Sequence, residues 1–208
     1  MIQVSNLTVK FDGKIVLNNL NCEIKEGEIT ALVGESGCGK TTFLRCIAGL
    51  QKYKGNIIYG GNIIKGRNDD IFMMHQHYCN FPWKTCLQNI LFPISIKRKV
   101  TEEDIQEACK ILDNVGLLEY KDKFPSELSG GMNQRLALAR VFIAKPKVIL
   151  MDEPMSALDT MTKQKMELQL LSLHNKTKNT IIMITHDENQ AKKLAKNNII
   201  NFNHLKNN

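Results

Sequence analysis

Three short segments carry residue types able to act on a phosphate. The first is Gly34-Glu35-Ser36-Gly37-Cys38-Gly39-Lys40-Thr41, which has the spacing G-x-x-x-x-G-K-[ST]. Glycines so spaced let backbone N–H groups curl around an anion, and a helix starting immediately afterwards adds its partial positive charge. On that pattern Lys40 reaches the β- and γ-phosphates of a nucleoside triphosphate, while the Thr41 hydroxyl ligates Mg²⁺. The second segment is Val148-Ile149-Leu150-Met151-Asp152-Glu153-Pro154. Its four apolar residues read as a strand inside a sheet, with two carboxylates emerging at the C-terminal end, where open α/β sheets bind ligands. Successive residues at a strand end point different ways, which suits Asp152 to a Mg²⁺ water shell and Glu153 to a water attacking the γ-phosphate. Taken alone, the pair is equally a solvated acidic turn. The third is Leu128-Ser129-Gly130-Gly131-Met132-Asn133-Gln134-Arg135. It reads either as a simple capped helix start or as a second anion site, with Ser129 as N-cap or phosphate donor and bare amides behind it.

These residues need elements to hold them. Ile2 to Phe11 alternates apolar and polar residues, Asp12-Gly13 is a hairpin turn signal, and a second alternating run covers Ile15 to Ile24. Ile29 to Val33 is a short continuous apolar run of the kind found in strands buried on both faces, and the glycine segment follows it at once. Phe43, Leu44, Ile47, Ala48 and Leu50 then sit at helical spacing from Lys40 onward. Short strands are expected within 55 to 75, after which the pattern loosens around Pro82 and Pro93. Thr101 with Asp104 resembles a capping box ahead of the stripe Ile105, Ala108, Ile111, Leu112 and Val115. Beyond this come a helix over Gly131 to Ala144, a strand over Val148 to Met151, a helix over Thr162 to Leu173, a strand over Thr180 to Ile184, a helix over Asp187 to Lys196 and an edge strand over Ile199 to Phe202. Strands alternating with helices imply an α/β fold with a mainly parallel sheet.

With 208 residues, 43% hydrophobic and 24% charged, the chain has the composition of one globular domain, not of a disordered or fibrous protein. No run approaches the roughly 18 apolar residues of a membrane span, and the N-terminus lacks the features of a secretion signal, so a cytoplasmic location is expected. A net charge of +7 is compatible with nucleic acid, an anionic membrane surface or a phosphate-bearing ligand. The densest basic cluster, Lys97-Arg98-Lys99, reads as a solvated face or a binding patch. The six cysteines show no C-x-x-C pair, which points to free thiols. His75, His77 and Cys79 alternate on one face as metal ligands would.

With the three motifs in this order, nearly the whole chain resembles the ATP-binding subunit of an ABC transporter. The resemblance implies a P-loop nucleoside triphosphatase fold of ABC type. Its parts would be a mainly parallel core, an N-terminal antiparallel β subdomain and a helical subdomain inserted at roughly residues 85 to 135 of a single 1–208 domain. It implies ATP and Mg²⁺ as cofactors, and catalytic roles for Lys40, Gln76, Glu153 and His186. Nucleotide contacts fall on Phe11, Val16, the loop Gly34, Glu35, Ser36, Gly37, Cys38 and Gly39, then Lys40, Thr41 and Thr42. Across a dimer interface they fall on Ser129, Gly130, Gly131 and Asp159. Metal contacts fall on Thr41, Gln76 and Asp152. Phe11 would stack on adenine, though it could equally be a strand-end core residue. Gln76 would sense Mg²⁺ and the attacking water, which accounts for its histidine neighbours without a metal site. His186, after the apolar strand, would bond the γ-phosphate and orient Glu153.

Phe81-Pro82-Trp83-Lys84-Thr85, with Met132 in the third motif, is similar to the nitrate, sulfonate and taurine importer group; plain packing is the other explanation for Trp83. Met132 stands where the family most commonly has Gln, and Gln190 where it often has Glu. The resemblance further implies a homodimer, or pairing with a second ATPase subunit, bound to transmembrane permeases on the inner face of the cell membrane. An extracytoplasmic solute-binding protein would complete an importer. The alternative is a soluble relative acting on nucleic acid or the ribosome, but those usually carry two cassettes or long coiled coils in one chain.

Overall fold

Asp12 and Gly13 both have left-handed backbones, with φ of 45° and 81°. Such a two-residue turn matches strand twist, and it joins β1 (Ile2–Phe11) to β2 (Lys14–Ile24) with Phe11 opposite Lys14. The apolar positions Ile2 and Val4 continue as Leu7 and Val9, one step out of alternation. A register shift between Val4 and Leu7 and a φ of 53° at Asn6 absorb the extra residue, so all four side chains stay buried. With β4 (Lys54–Tyr59) and β5 (Asn62–Ile63) the hairpin forms a four-stranded sheet of order β2-β1-β4-β5, antiparallel throughout.

The computed structural model describes residues 1–203 except 76–78 and 157. Its second sheet has the order β6-β7-β8-β3-β9, built from β3 (Ile29–Val33), β6 (Ile71–Met74), β7 (Val148–Asp152), β8 (Thr180–Ile184) and β9 (Ile199–Asn201). The pairs β7-β8, β8-β3 and β3-β9 are parallel. Every residue of β7 and β8 is buried, which is why both read as unbroken apolar runs and not as alternation. The helix α1 (Lys40–Ile47) packs on β7 and β8. One core joins Phe43 and Leu44 of α1 to Leu32, Val148, Leu150, Ile182 and Ile184 of the parallel sheet and to the inward side chains of β1 and β2.

The chain divides into two compact units. The first comprises Met1–Met73, Pro146–Glu153 and the residues from Lys178 onward; the second comprises Met74–Lys145 and Pro154–Thr177. In the second unit α2 (Cys86–Ser95), α3 (Glu102–Asn114) and α4 (Gly130–Ala144) pack pairwise. The helix α4 is buried around most of its circumference, as expected of a central helix. The capping box at Thr101 and Asp104 is present with both of its hydrogen bonds. Arg98, from the basic cluster, is committed to it, placing Nη1 and Nη2 at 2.6 and 2.7 Å from the two Asp104 oxygens. The helix α2 falls in the stretch expected to be a helical insert, although the sequence pattern, which loosens around Pro93 inside it, did not delimit it; a second capping box, Thr85 with Gln88, starts it. The helix α5 (Thr160–Thr177) completes this unit, and α6 (Glu188–Ala195) packs on β3 in the first. Among the described residues no helix is long and apolar enough to cross a membrane.

Candidate functional site

The backbone turns out of β3 into a loop whose glycines Gly34, Gly37 and Gly39 have φ of 145°, 75° and 101°. At Gly39 an added Cβ would lie 2.6 Å from Leu17 Cδ2 and 3.3 Å from Val16 Cγ1, so the floor of the loop is set directly on β2. Helix α1 starts at Lys40 with no side-chain cap and no acidic residue in its first turn. Those uncapped N–H groups favour an anion, which fits the chemistry of a phosphate chain. Lys40 is 5% exposed, and its Nζ donates to the carbonyls of Gly34 and Glu35, each at 2.8 Å. Its ammonium therefore sits within the curve of the loop. Cys38 and Gly39 are buried, Glu35, Ser36 and Gly37 exposed, and Thr41 and Thr42 half-buried in the first turn of α1. Phe11 is 42% exposed and outside the core, which leaves its ring available for stacking. Val16 is half-buried beside Gly39.

Asp152 ends β7 and is 4% exposed. Glu153 follows with φ of 50°, a left-handed backbone uncommon for a residue that carries a side chain. The Glu153 carboxylate accepts a hydrogen bond from His186 Nε2 at 2.9 Å. His186 lies just beyond β8, the neighbour of β7, and its neighbours in the chain are tied into the start of α6. Thr185 donates to Gln190 Oε1 at 2.6 Å and accepts from the Asp187 N–H at 3.1 Å. Asp187 caps α6 by accepting from the Gln190 N–H at 3.0 Å. The readable signal was Asp187-x-x-Gln190, a capping pattern at a helix start. Because β7, β8 and β3 are adjacent and parallel, their C-terminal ends bring Lys40, Asp152, Glu153 and His186 to one edge of the sheet. Such a set can hold phosphate oxygens on an ammonium and bare amides while an imidazole orients a carboxylate towards water.

In the second unit Ser129 is the N-cap of α4, its Oγ accepting from the Met132 N–H at 3.3 Å. Gly130 and Gly131 open the helix, so the capped-helix reading holds and the amides behind it are those of its first turn. Asn133 ties that turn down by donating to the Pro125, Leu128 and Ser129 carbonyls. Asp159 caps α5, its carboxylate accepting from the Thr162 N–H at 3.0 Å, and hydrogen bonds to Thr162 hold it below the usual carboxylate range. Leu158 is half-buried. Trp83 is 71% exposed and touches Phe81, with ring centroids 5.8 Å apart. The loop that carries it is shaped by the buried Asn89, whose side-chain amide donates to the carbonyls of Phe81, Lys84 and Thr85 and accepts from the Phe81 N–H. Gln76, His77 and Ala157 lie outside the described residues. All six cysteines are free thiols; burial pushes Cys22 and Cys46 up to about 12 and Cys86 up to about 11.

A parallel sheet with a glycine loop after one strand and an acidic pair after another defines the P-loop nucleoside triphosphatases. The family model described as ABC transporter matches residues 17–156. The nitrate import ATP-binding protein NrtD of Synechocystis sp. is 41% identical over 199 residues, covering 93% of this chain and 75% of the relative. The spermidine/putrescine import ATP-binding protein PotA of Spiroplasma citri is 40% identical over 199 residues, covering 94% of this chain and 57% of the relative. Among solved structures, the ATP-binding cassette MJ0796, in a dimeric post-hydrolysis state bound to ADP and Pi, is similar with a TM-score of 0.85 and 30% identity, covering 97% of this chain and 94% of the other. The chain belongs to the ABC transporter ATP-binding family, and its activity class is ATP hydrolysis.

Proposed function

We propose that this chain powers import of a small anion or sulfonate-like solute, working as a dimeric ATPase bound to transmembrane permeases on the inner face of the cell membrane. The observation that carries the hydrolytic part is the joint placement of Lys40, Asp152 and the Glu153–His186 pair at one sheet edge. Lys40 and the first-turn amides bind the phosphates, with Thr42 beside them, and Phe11 and Val16 take the adenine side. Glu153, steered by His186, accepts the proton of the attacking water. Thr41, Asp152 and Gln76 would hold Mg²⁺, which would supply positive charge to offset that of the phosphates. Ser129, Gly130, Gly131 and Asp159 serve the nucleotide held by a partner copy, so each chain supplies half of each site.

Support for a small anion comes from Phe81-Pro82-Trp83-Lys84-Thr85, with its exposed indole, and from the nitrate relative. A polyamine relative of similar identity shows why overall similarity does not select the solute. The test is affinity isolation of the tagged protein from gently solubilised native membranes after a high-salt wash, followed by mass spectrometry. Recovery of a multi-span permease with a nitrate- or sulfonate-binding protein is expected. Recovery with ribosomes or nucleic acid alone would replace transport with the rival reading.

A further inference from the structure

The loop that holds Lys40 is gripped from outside by the chain segment following β9. That strand pairs with β3 in parallel, placing Asn201 opposite Val33, and the Phe202 N–H continues the pairing by donating to the Val33 carbonyl at 2.9 Å. Phe202 is fully buried, its ring edge-on to Phe43 of α1 with centroids 5.3 Å apart, so the segment is anchored in the core. The next residue, Asn203, has its backbone N–H tied to Asn201 Oδ1 at 3.0 Å, and its own side-chain oxygen accepts from the Glu35 N–H at 3.0 Å.

That amide belongs to the Gly34–Glu35 peptide, whose carbonyl is one of the two that receive Lys40 Nζ. A trans peptide is planar, with its N–H and C=O pointing opposite ways. Capture of the N–H by Asn203 on the outer side therefore aims the Gly34 carbonyl inward, at the lysine. The fit is close: a Cβ on Gly34 would lie 3.1 Å from Asn203 Oδ1 and 3.3 Å from Phe202 Cβ. We infer that Asn203 is a positioning residue for the phosphate loop, acting through the Gly34–Glu35 peptide to hold Lys40 where a triphosphate meets it. A carboxamide suits this post because it accepts the hydrogen bond without placing a negative charge beside the phosphates.

This inference rests on the phosphate-loop reading, and the experiment separates the two. Binding of ATP with Mg²⁺ is measured by calorimetry on the full chain and on Asn203→Ala, Asn203→Asp and Lys40→Ala, with Glu35 amide exchange followed by NMR. Asn203 is exposed, so its replacement leaves the core intact. For Asn203→Ala the Kd for ATP should rise about three- to tenfold, the worth of one hydrogen bond, with the thermal midpoint within about 2 °C of the parent. Glu35 amide exchange should quicken by a similar factor, and Asn203→Asp, which keeps the acceptor, should restore slow exchange. Unchanged ATP affinity in Asn203→Ala, a loss matched by a fall in thermal midpoint, or equally fast exchange in Asn203→Asp would each overturn it. If Lys40→Ala keeps its affinity for ATP, the phosphate-loop reading itself fails; if it loses affinity while Asn203→Ala does not, only the role of Asn203 fails.

Discussion

Glu153 leaves β7 in a left-handed conformation that costs a side-chain-bearing residue on the order of 1 kcal/mol or more. The return on that strain is direction: Asp152 stays buried at the strand end, while Glu153 swings to within 2.9 Å of His186 Nε2. Glu153→Gln keeps the size of the group and an oxygen for His186 but cannot take a proton from water. Steady-state turnover should fall about 10²-fold or more, while the calorimetric Kd for ATP stays within about threefold of the parent value. Turnover that survives the change would remove Glu153 from its proposed role. Lys40, Asp152 and Glu153 were legible as residues because motif spacing and strand ends are local, whereas His186 was singled out by the family resemblance. The hydrogen bond between Thr185 and Gln190 was not legible, since it depends on how α6 leaves β8.

At the scale of elements, the start of α3 depends on a charged cap. The Arg98 guanidinium, then the Thr101 N–H, hold the Asp104 carboxyl well below the usual carboxylate range. A carboxyl lowered in the folded state adds stability above the ordinary value near 4, and that contribution is lost as pH falls through it towards the lower folded value. Asp104→Asn should therefore be less stable than the parent at pH 7 in urea melts, with the gap closing between about pH 4 and pH 2. A gap independent of pH would show that the carboxylate charge contributes nothing. The same box was readable in the sequence as Thr101 with Asp104. The equivalent box at Thr85 and Gln88 starts α2, which runs on through Pro93, where the sequence pattern loosens.

For the molecule as a whole, the phosphate loop, the acidic pair and His186 belong to the first unit, and Ser129 to Gly131 with Asp159 to the second. If a nucleotide is shared between two copies, ATP that is bound but not hydrolysed must favour the paired state, because a ligand shifts an association equilibrium towards the form that binds it better. Glu153→Gln with ATP and Mg²⁺ should elute as a dimer in size-exclusion chromatography with light scattering. Lys40→Ala should stay monomeric under the same conditions. A Glu153→Gln protein that binds ATP and remains monomeric would argue against the shared site.

Outside α2, the order and type of the main elements, the turn at Asp12-Gly13, the glycine loop and the apolar strands with their trailing carboxylates were determined by the sequence alone. Each is a consequence of neighbours a few residues apart: strand or helix periodicity, a turn that needs positive φ, a cap that needs an oxygen. Tertiary structure decided which of these elements meet. Glu153 meets His186 only because β7 neighbours β8, and the Glu35 amide meets Asn203 only because β9 lies against β3. Parallel strands are joined through crossovers, so their side-by-side order follows from the packing of helices and core residues and not from adjacency in the chain.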